Sequence, residues 1–133
     1  MDDNSITFNE GRLQPRFRTD FKATLTTSSG EQIGVVITNI SLSGLQLKGD
    51  DALPFKLFAD RHQQRTPKLA NFTIKFAVPT TTRDQAVIDI QCQPVYIRRV
   101  SKECSLVGSQ FCHFNRQTEA DLADYINHFG VPL

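Results

Sequence analysis

Apolar and polar residues alternate along much of the chain, and this alternation is typical of β-strands that bury one face. Because successive side chains of a strand point to opposite sides, each alternating run predicts a strand with one face in a core. The predicted strands cover residues 21–25, 33–38, 45–48, 72–78, 87–99 and 106–114. An apolar run at 53–58 predicts one more short strand, and Pro94 indicates a bulge or an edge position.

The last part of the chain has the spacing of a helix instead. Its apolar residues recur at i, i+3, i+4 and i+7, which makes one apolar stripe: Leu122, Tyr125, Ile126 and Phe129. We expect this helix at about 116–129, with Asn115 or Thr118 as its N-cap and Gly130 at its end. Several strands followed by one amphipathic helix predict an all-β fold, a small antiparallel barrel with one C-terminal helix.

The composition is typical of one globular domain. With 133 residues, 39% hydrophobic and 22% charged, the chain can form a core and is too apolar for a disordered protein. We expect residues 1–11 to form a flexible N-terminal arm and residues 12–133 the domain. No apolar run reaches the roughly 20 residues that span a bilayer, and the acidic start is unlike a secretory signal. We therefore expect no membrane insertion. Three cysteines without a C-x-x-C spacing indicate reduced thiols in a cytoplasmic protein.

Little in the sequence favours catalysis. The three histidines have no metal-binding spacing, and the chain contains neither a P-loop nor a dinucleotide fingerprint. Cys112 and His113 are adjacent, but neighbouring side chains of a strand point to opposite faces, so they do not form a nucleophile pair. We interpret Cys112 as a small core residue. We therefore expect no enzyme, no metal site and no cofactor.

Two short motifs carry the candidate chemistry. Asn39-Ile40-Ser41-Leu42-Ser43-Gly44 lies between the second and third predicted strands, and Arg12-Leu13-Gln14-Pro15-Arg16 precedes the first. Arginine forks match phosphate oxygens or the O6 and N7 acceptors of guanine. Asn39 and Ser41 offer short polar groups for the other edge of a base, and Gly44 leaves room for close backbone approach. Together the motifs predict a pocket for a compact, doubly charged guanine nucleotide.

Each motif alone carries little information. The R-x-x-x-R spacing recurs at 61–65, inside a basic loop at 61–68 that is either a partner surface or a solvated loop. An N-x-S-x-x-G segment is more often a plain turn. The two motifs together, in this order along the chain, indicate a binding site more specifically than either motif does alone. Arg18 is a possible additional phosphate ligand, although the reading as an ordinary exposed residue at the start of a strand is favoured.

Both motifs, together with residues 20–25 and the segment Val107-Gly108-Ser109-Gln110-Phe111, resemble a PilZ domain. The resemblance implies a bacterial receptor for the second messenger cyclic di-GMP, built as a six-stranded antiparallel β-barrel with helical additions. It assigns Arg12 and Arg16 to phosphate and guanine, and Asn39, Ser41 and Gly44 to a guanine from the other side. Gly11 stands where the family often has a further arginine. The number of bound ligands, one cyclic di-GMP or a stacked pair, therefore stays open.

The resemblance leads to a hypothesis for signalling. Cyclic di-GMP would order the N-terminal arm and so relay the signal to an unidentified downstream protein. One alternative is a PilZ-like interaction module that does not bind nucleotide. Another is a barrel that binds RNA or single-stranded DNA. The latter would need a basic groove with exposed aromatic residues, whereas the net charge is +1 and most strand phenylalanines lie at inward positions. We therefore expect no nucleic acid polymer as a partner.

Overall fold

The computed structural model describes residues 14–58 and 69–133, and these form a closed antiparallel barrel with one long helix. The predicted N-terminal arm 1–11, Arg12 and the basic loop 61–68 lie outside the described residues. The strands and helices in chain order are β1 (Phe17–Thr26), β2 (Gln32–Ile40), β3 (Gly44–Gly49), α1 (Leu53–Lys56), β4 (Phe72–Val78), β5 (Ala86–Ser101), β6 (Cys104–His113), α2 (Arg116–Phe129) and β7 (Val131–Pro132).

The barrel closes because β1 pairs with a neighbour on each side. The hydrogen-bonded order is β2, β3, β6, β5, β4 and β1, and β1 pairs again with β2. All of these pairs are antiparallel. The inward positions of the alternating runs form the core, which includes Leu25, Ile37, Leu47, Ile74, Ile88 and Val107. The predicted six-stranded antiparallel barrel is therefore confirmed.

Helix α2 packs on the barrel through its apolar stripe. It occupies Arg116–Phe129, and the Asn115 side chain caps its start by accepting a hydrogen bond from the Thr118 backbone at 2.8 Å. Leu122 is fully buried, and Tyr125 contacts the ring of Phe21 edge-on. The sequence pattern predicted this helix because its apolar face has to cover the barrel.

The loop between β4 and β5 also fastens α2. Arg83 Nη2 donates to Asp121 Oδ1 at 2.6 Å, and Asp121 is 7% exposed. One turn further along, Asp124 accepts from the Thr81 backbone at 3.0 Å and from the Thr81 hydroxyl at 2.6 Å. The acidic side chains of the helix thus meet donors of the β4–β5 loop.

The chain ends beside the start of β1. Strand β7 pairs with β1, with Val131 opposite Arg18 and Pro132 opposite Phe17. The Leu133 backbone N–H then donates to the Arg16 carbonyl at 3.2 Å. The last residues of the chain therefore lie against the segment that follows the R-x-x-x-R spacing.

The predicted short strand at 53–58 is wrong. This segment begins with helix α1 (Leu53–Lys56), and only Phe58 makes a strand-like bridge, to Leu69. The Asp50 carboxylate accepts from the Ala52 and Leu53 backbone at 2.9 and 3.2 Å, and Pro54 lies in the first turn. Proline suits a first helical turn because no backbone donor is needed there.

The interpretation of Cys112 as a core residue is also wrong. Cys112 is exposed, while Cys92 is fully buried. The last pair between β3 and β6 joins Gly44 and Gln110, so Cys112 lies beyond the end of β3. Cys112 also alternates out of phase with the inward residues Val107, Ser109 and Phe111, so its side chain points outward with that of Gln110.

Candidate functional site

The N-x-S-x-x-G segment forms the tight connection from β2 to β3. The Ser41 backbone N–H donates to the Gly44 carbonyl at 2.8 Å. The Ser41 hydroxyl accepts from the Ser43 and Gly44 backbone at 3.1 and 3.2 Å. Ser41 is 0% exposed. Its side chain therefore stabilises the turn from inside, as serine does in many such connections.

Gly44 is needed for close packing of two strands. A Cβ atom at this position would lie 2.1 Å from the Ser109 carbonyl oxygen of β6. The Phe111 backbone N–H also donates to the Ser43 carbonyl at 2.9 Å, which joins the turn to β6. The motif glycine thus allows the close approach of the neighbouring strand β6, whereas the sequence analysis assigned it to the binding of a ligand.

The structure brings the two motifs into contact. Arg16 Nη1 donates to Asn39 Oδ1 at 2.7 Å, although the residues are 23 positions apart in the chain. Both side chains are partly buried. Since the guanidinium has five donors, this bond leaves Arg16 with donors for a further acceptor.

Arg18 lies on the same side of the barrel. It is exposed and directly opposite Asn39 in the pairing of β1 with β2. Side chains of directly opposed residues project from the same face of a sheet. A second positive charge therefore lies beside the contact between Arg16 and Asn39.

A polar row continues from this contact around the outside of the barrel. We use this name for four side chains bonded in series, Arg16, Asn39, Gln46 and Tyr96. Asn39 Nδ2 donates to Gln46 Oε1 at 3.2 Å, and Gln46 Nε2 donates to the Tyr96 hydroxyl at 2.5 Å. The sequence predictions did not include Gln46 or Tyr96. Gln46 could have been noticed, because it alternates with Leu45 and Leu47 and so has to point outward.

No local pattern could have identified Tyr96, which joins Gln46 across 50 positions of sequence. Its ring lies over Gly108, where a Cβ atom would be only 2.0 Å from the ring carbon Cε2. The register of β5 shifts between Pro94 and Tyr96, as the predicted bulge at Pro94 requires. The bulge and the glycine together let the ring lie across β6 with 42% of the residue exposed.

The arrangement on this face suits recognition of an anion with a planar polar group. Arg16 and Arg18 supply cationic donors, and Asn39 and Gln46 supply amide groups in fixed contact. Of the five predicted binding residues, Arg16 and Asn39 touch each other, and Ser41 and Gly44 form the turn below Asn39. Arg12 lies outside the described residues.

Within 14–58 and 69–133, no three acidic, histidine or cysteine side chains lie close enough to share a metal ion. Burial raises the pKa of the Cys92 thiol to about 12, so this group stays protonated and unreactive near neutral pH. No helix among the described residues is long and apolar enough to cross a membrane.

Solved structures with a similar fold share little sequence with this chain. The Bacillus subtilis inhibitor of motility MotI/DgrA superposes with a TM-score of 0.65 at 16% identity, over 87% of this chain and 50% of the other. The K. pneumonia MrkH–c-di-GMP complex gives 0.53 at 19% identity, over 83% and 48%. Borreliella burgdorferi PlzA in complex with c-di-GMP gives 0.50 at 12% identity, over 82% and 48%.

The chain thus spans about half the length of these solved proteins. A comparison with curated proteins gives no match. The PilZ domain family matches residues 10–128, a stretch that includes both sequence motifs and every strand of the barrel. PilZ domains are ligand-binding domains rather than enzymes. The match covers most of the chain and agrees with the observed fold, so the chain belongs to the PilZ domain family.

Proposed function

We propose that this protein is a bacterial cytoplasmic receptor for cyclic di-GMP and has no catalytic activity. The ligand would lie on the outer face of the barrel beside the polar row. Arg12 and Arg16 would bind phosphate and guanine, and Asn39 would accept from a guanine edge. Ser41 and Gly44 would shape the turn that presents Asn39. Arg18 is an additional candidate for a phosphate contact.

The observation that carries this proposal is the bond between Arg16 Nη1 and Asn39 Oδ1. It brings the two motifs together on one face of the barrel. The cyclic di-GMP complexes of MrkH and PlzA show that proteins with this fold bind the same messenger. A charged bidentate donor and a neutral amide are complementary to phosphate and guanine respectively.

We further propose that binding relays a signal to a downstream protein by ordering residues 1–11. Arg16 is the member of the polar row that lies nearest to these positions in the sequence. A ligand that binds Arg12 and Arg16 together would fix the intervening chain against the barrel and change the surface offered to a partner.

Calorimetric titration of cyclic di-GMP into the wild type and into Arg16→Ala tests the receptor proposal. We expect binding to the wild type, and at least about tenfold weaker binding to the variant because charge-assisted hydrogen bonds are lost. The stoichiometry of the titration distinguishes one ligand from a stacked pair.

Lys75→Ala is the matched control. It removes an exposed positive charge from β4, which is not adjacent to β2 or β3 in the barrel. Its affinity should equal that of the wild type. A folded wild type that gives no heat would overturn the receptor proposal and favour the interaction module that does not bind nucleotide. An equal loss of affinity in Arg16→Ala and Lys75→Ala would mean that the net charge of the protein, rather than the proposed site, determines binding.

A further inference from the structure

We infer that Gln46 is a positioning residue of this site. It determines which end of the Asn39 amide, the oxygen or the nitrogen, faces the ligand. The inference rests on the proposed function and adds to it a residue outside both motifs. Gln46 lies on β3 directly opposite Asn39 in the pairing of β2 with β3. Their side chains therefore project from the same face and meet at 3.2 Å.

The orientation of Asn39 matters because its amide has two chemically different ends. Its oxygen accepts hydrogen bonds and its nitrogen donates them. The guanine edge carrying N1–H and N2–H offers donors, so only an outward Oδ1 can bind it. An aspartate at this position would have two equivalent oxygens and would need no partner to set its orientation.

Arg16 contributes to this orientation. Arginine has only donors, so the atom of Asn39 that faces Arg16 at 2.7 Å has to be the oxygen. In the proposed complex, Arg16 turns toward phosphate or guanine and this constraint weakens. The contact between Asn39 Nδ2 and Gln46 Oε1 then remains to keep the oxygen outward.

Gln46 can do this because its own amide is fixed by two other residues. Its Oε1 accepts from the Thr38 hydroxyl at 2.9 Å, a hydroxyl that also lies 3.3 Å from the Gln46 carbonyl. Its Nε2 donates to the Tyr96 hydroxyl at 2.5 Å. The Tyr96 ring is placed by Gly108, which leaves space for it across β6.

A double-mutant cycle at positions 39 and 46 tests the inference. We would measure cyclic di-GMP affinity of the wild type, Gln46→Leu, Asn39→Asp and the double variant. With Asn39 present, Gln46→Leu should weaken binding about tenfold because the amide can turn the wrong way. With aspartate at 39, the same change should weaken binding about twofold or less, because both carboxylate oxygens accept hydrogen bonds.

A general effect of exchanging glutamine for leucine is measured with Gln32→Leu. Gln32 is exposed at the start of β2, where it pairs with Thr26 and lies seven residues before Asn39. This control should bind like the wild type. An equal loss from Gln46→Leu in both backgrounds would show that Gln46 only stabilises the surface, and no loss in either would also overturn the inference.

A measurement without ligand separates this inference from the receptor proposal. The Asn39 side-chain amide is followed by NMR hydrogen exchange in the wild type and in Gln46→Leu. Loss of the Nδ2 bond should speed exchange about fivefold. If the wild type does not bind cyclic di-GMP, the receptor proposal fails. If exchange at Asn39 does not change in Gln46→Leu, the positioning role fails instead.

Discussion

Gly44 is the first residue of β3, and its backbone packs tightly against β6. A Cβ atom there would be 2.1 Å from a backbone oxygen, which cannot move without opening the sheet. We expect Gly44→Ala to lower the free energy of unfolding by about 1–3 kcal/mol, as overpacking of a tight contact does. Urea denaturation measures this change.

Gly34→Ala is the control for this variant. Gly34 lies in β2, and a Cβ atom added there would meet nothing within 4 Å. The substitution should change the stability by less than about 1 kcal/mol. If Gly44→Ala were as stable as Gly34→Ala, the strand would have adjusted and the glycine would not be needed for packing.

At the residue scale, the sequence indicated the motif but not its surroundings. Residue types alone predicted that Ser41 and Gly44 would form a turn, because serine and glycine have local reasons to occur there. The partners of Asn39 depend on strand register instead. Gln46 and Tyr96 meet across 50 positions, and only the assembled barrel shows this contact.

Helix α2 and the β4–β5 loop are joined by an acid-sensitive contact. Hydrogen bonds from Thr81, first from its hydroxyl and then from its backbone, lower the pKa of Asp124 below its ordinary value. A lowered pKa in the folded state means that the unfolded chain takes up protons first as the pH falls. The contribution of Asp124 is therefore present above about pH 4 and is lost as the pH falls through the lowered pKa.

Thr81→Val tests this directly, because it removes the hydroxyl donor and keeps the carboxylate. We expect thermal stability to fall less steeply below about pH 4 in this variant than in the wild type. Thr73→Val, at an exposed position of β4, is the control and should keep the wild-type slope. An unchanged slope in Thr81→Val would show that its hydroxyl does not set the pKa of Asp124.

At the scale of elements, alternation and helical spacing were reliable where a segment has one buried face. The strands of the barrel and helix α2 meet this condition. The 53–58 segment was misassigned because its apolar residues suggested a strand, while the Asp50 cap and Pro54 favour a helical turn. Cys112 was assigned to the core from its residue type, whereas alternation with the inward Val107, Ser109 and Phe111 places it on the outer face.

For the whole molecule, the predicted fold class was correct because the alternating strands close into one barrel with a single shared core. β1 bonds to β2 along its length and to β4 and β7 on its other edge. A closed sheet satisfies its backbone groups without relying on a partner chain. The polar row lies across several strands of this closed sheet. We therefore attribute the ordering that we propose on ligand binding to the chain that leads into Arg16, and not to the barrel.

Leu133 contacts Arg16, so the first and last described segments lie side by side. This arrangement makes the 133-residue sequence suitable for circular permutation. A short linker from Leu133 to Met1, with new ends between Ser29 and Gly30, should preserve the barrel, because that turn is exposed. The short linker would tether residues 1–11 at both ends. If ordering of these residues contributes to binding, this permutant should bind cyclic di-GMP several-fold more weakly than one with a flexible linker of roughly 20 residues. Equal affinities, measured by calorimetry, would show that the barrel face binds the messenger without closure of the chain before it.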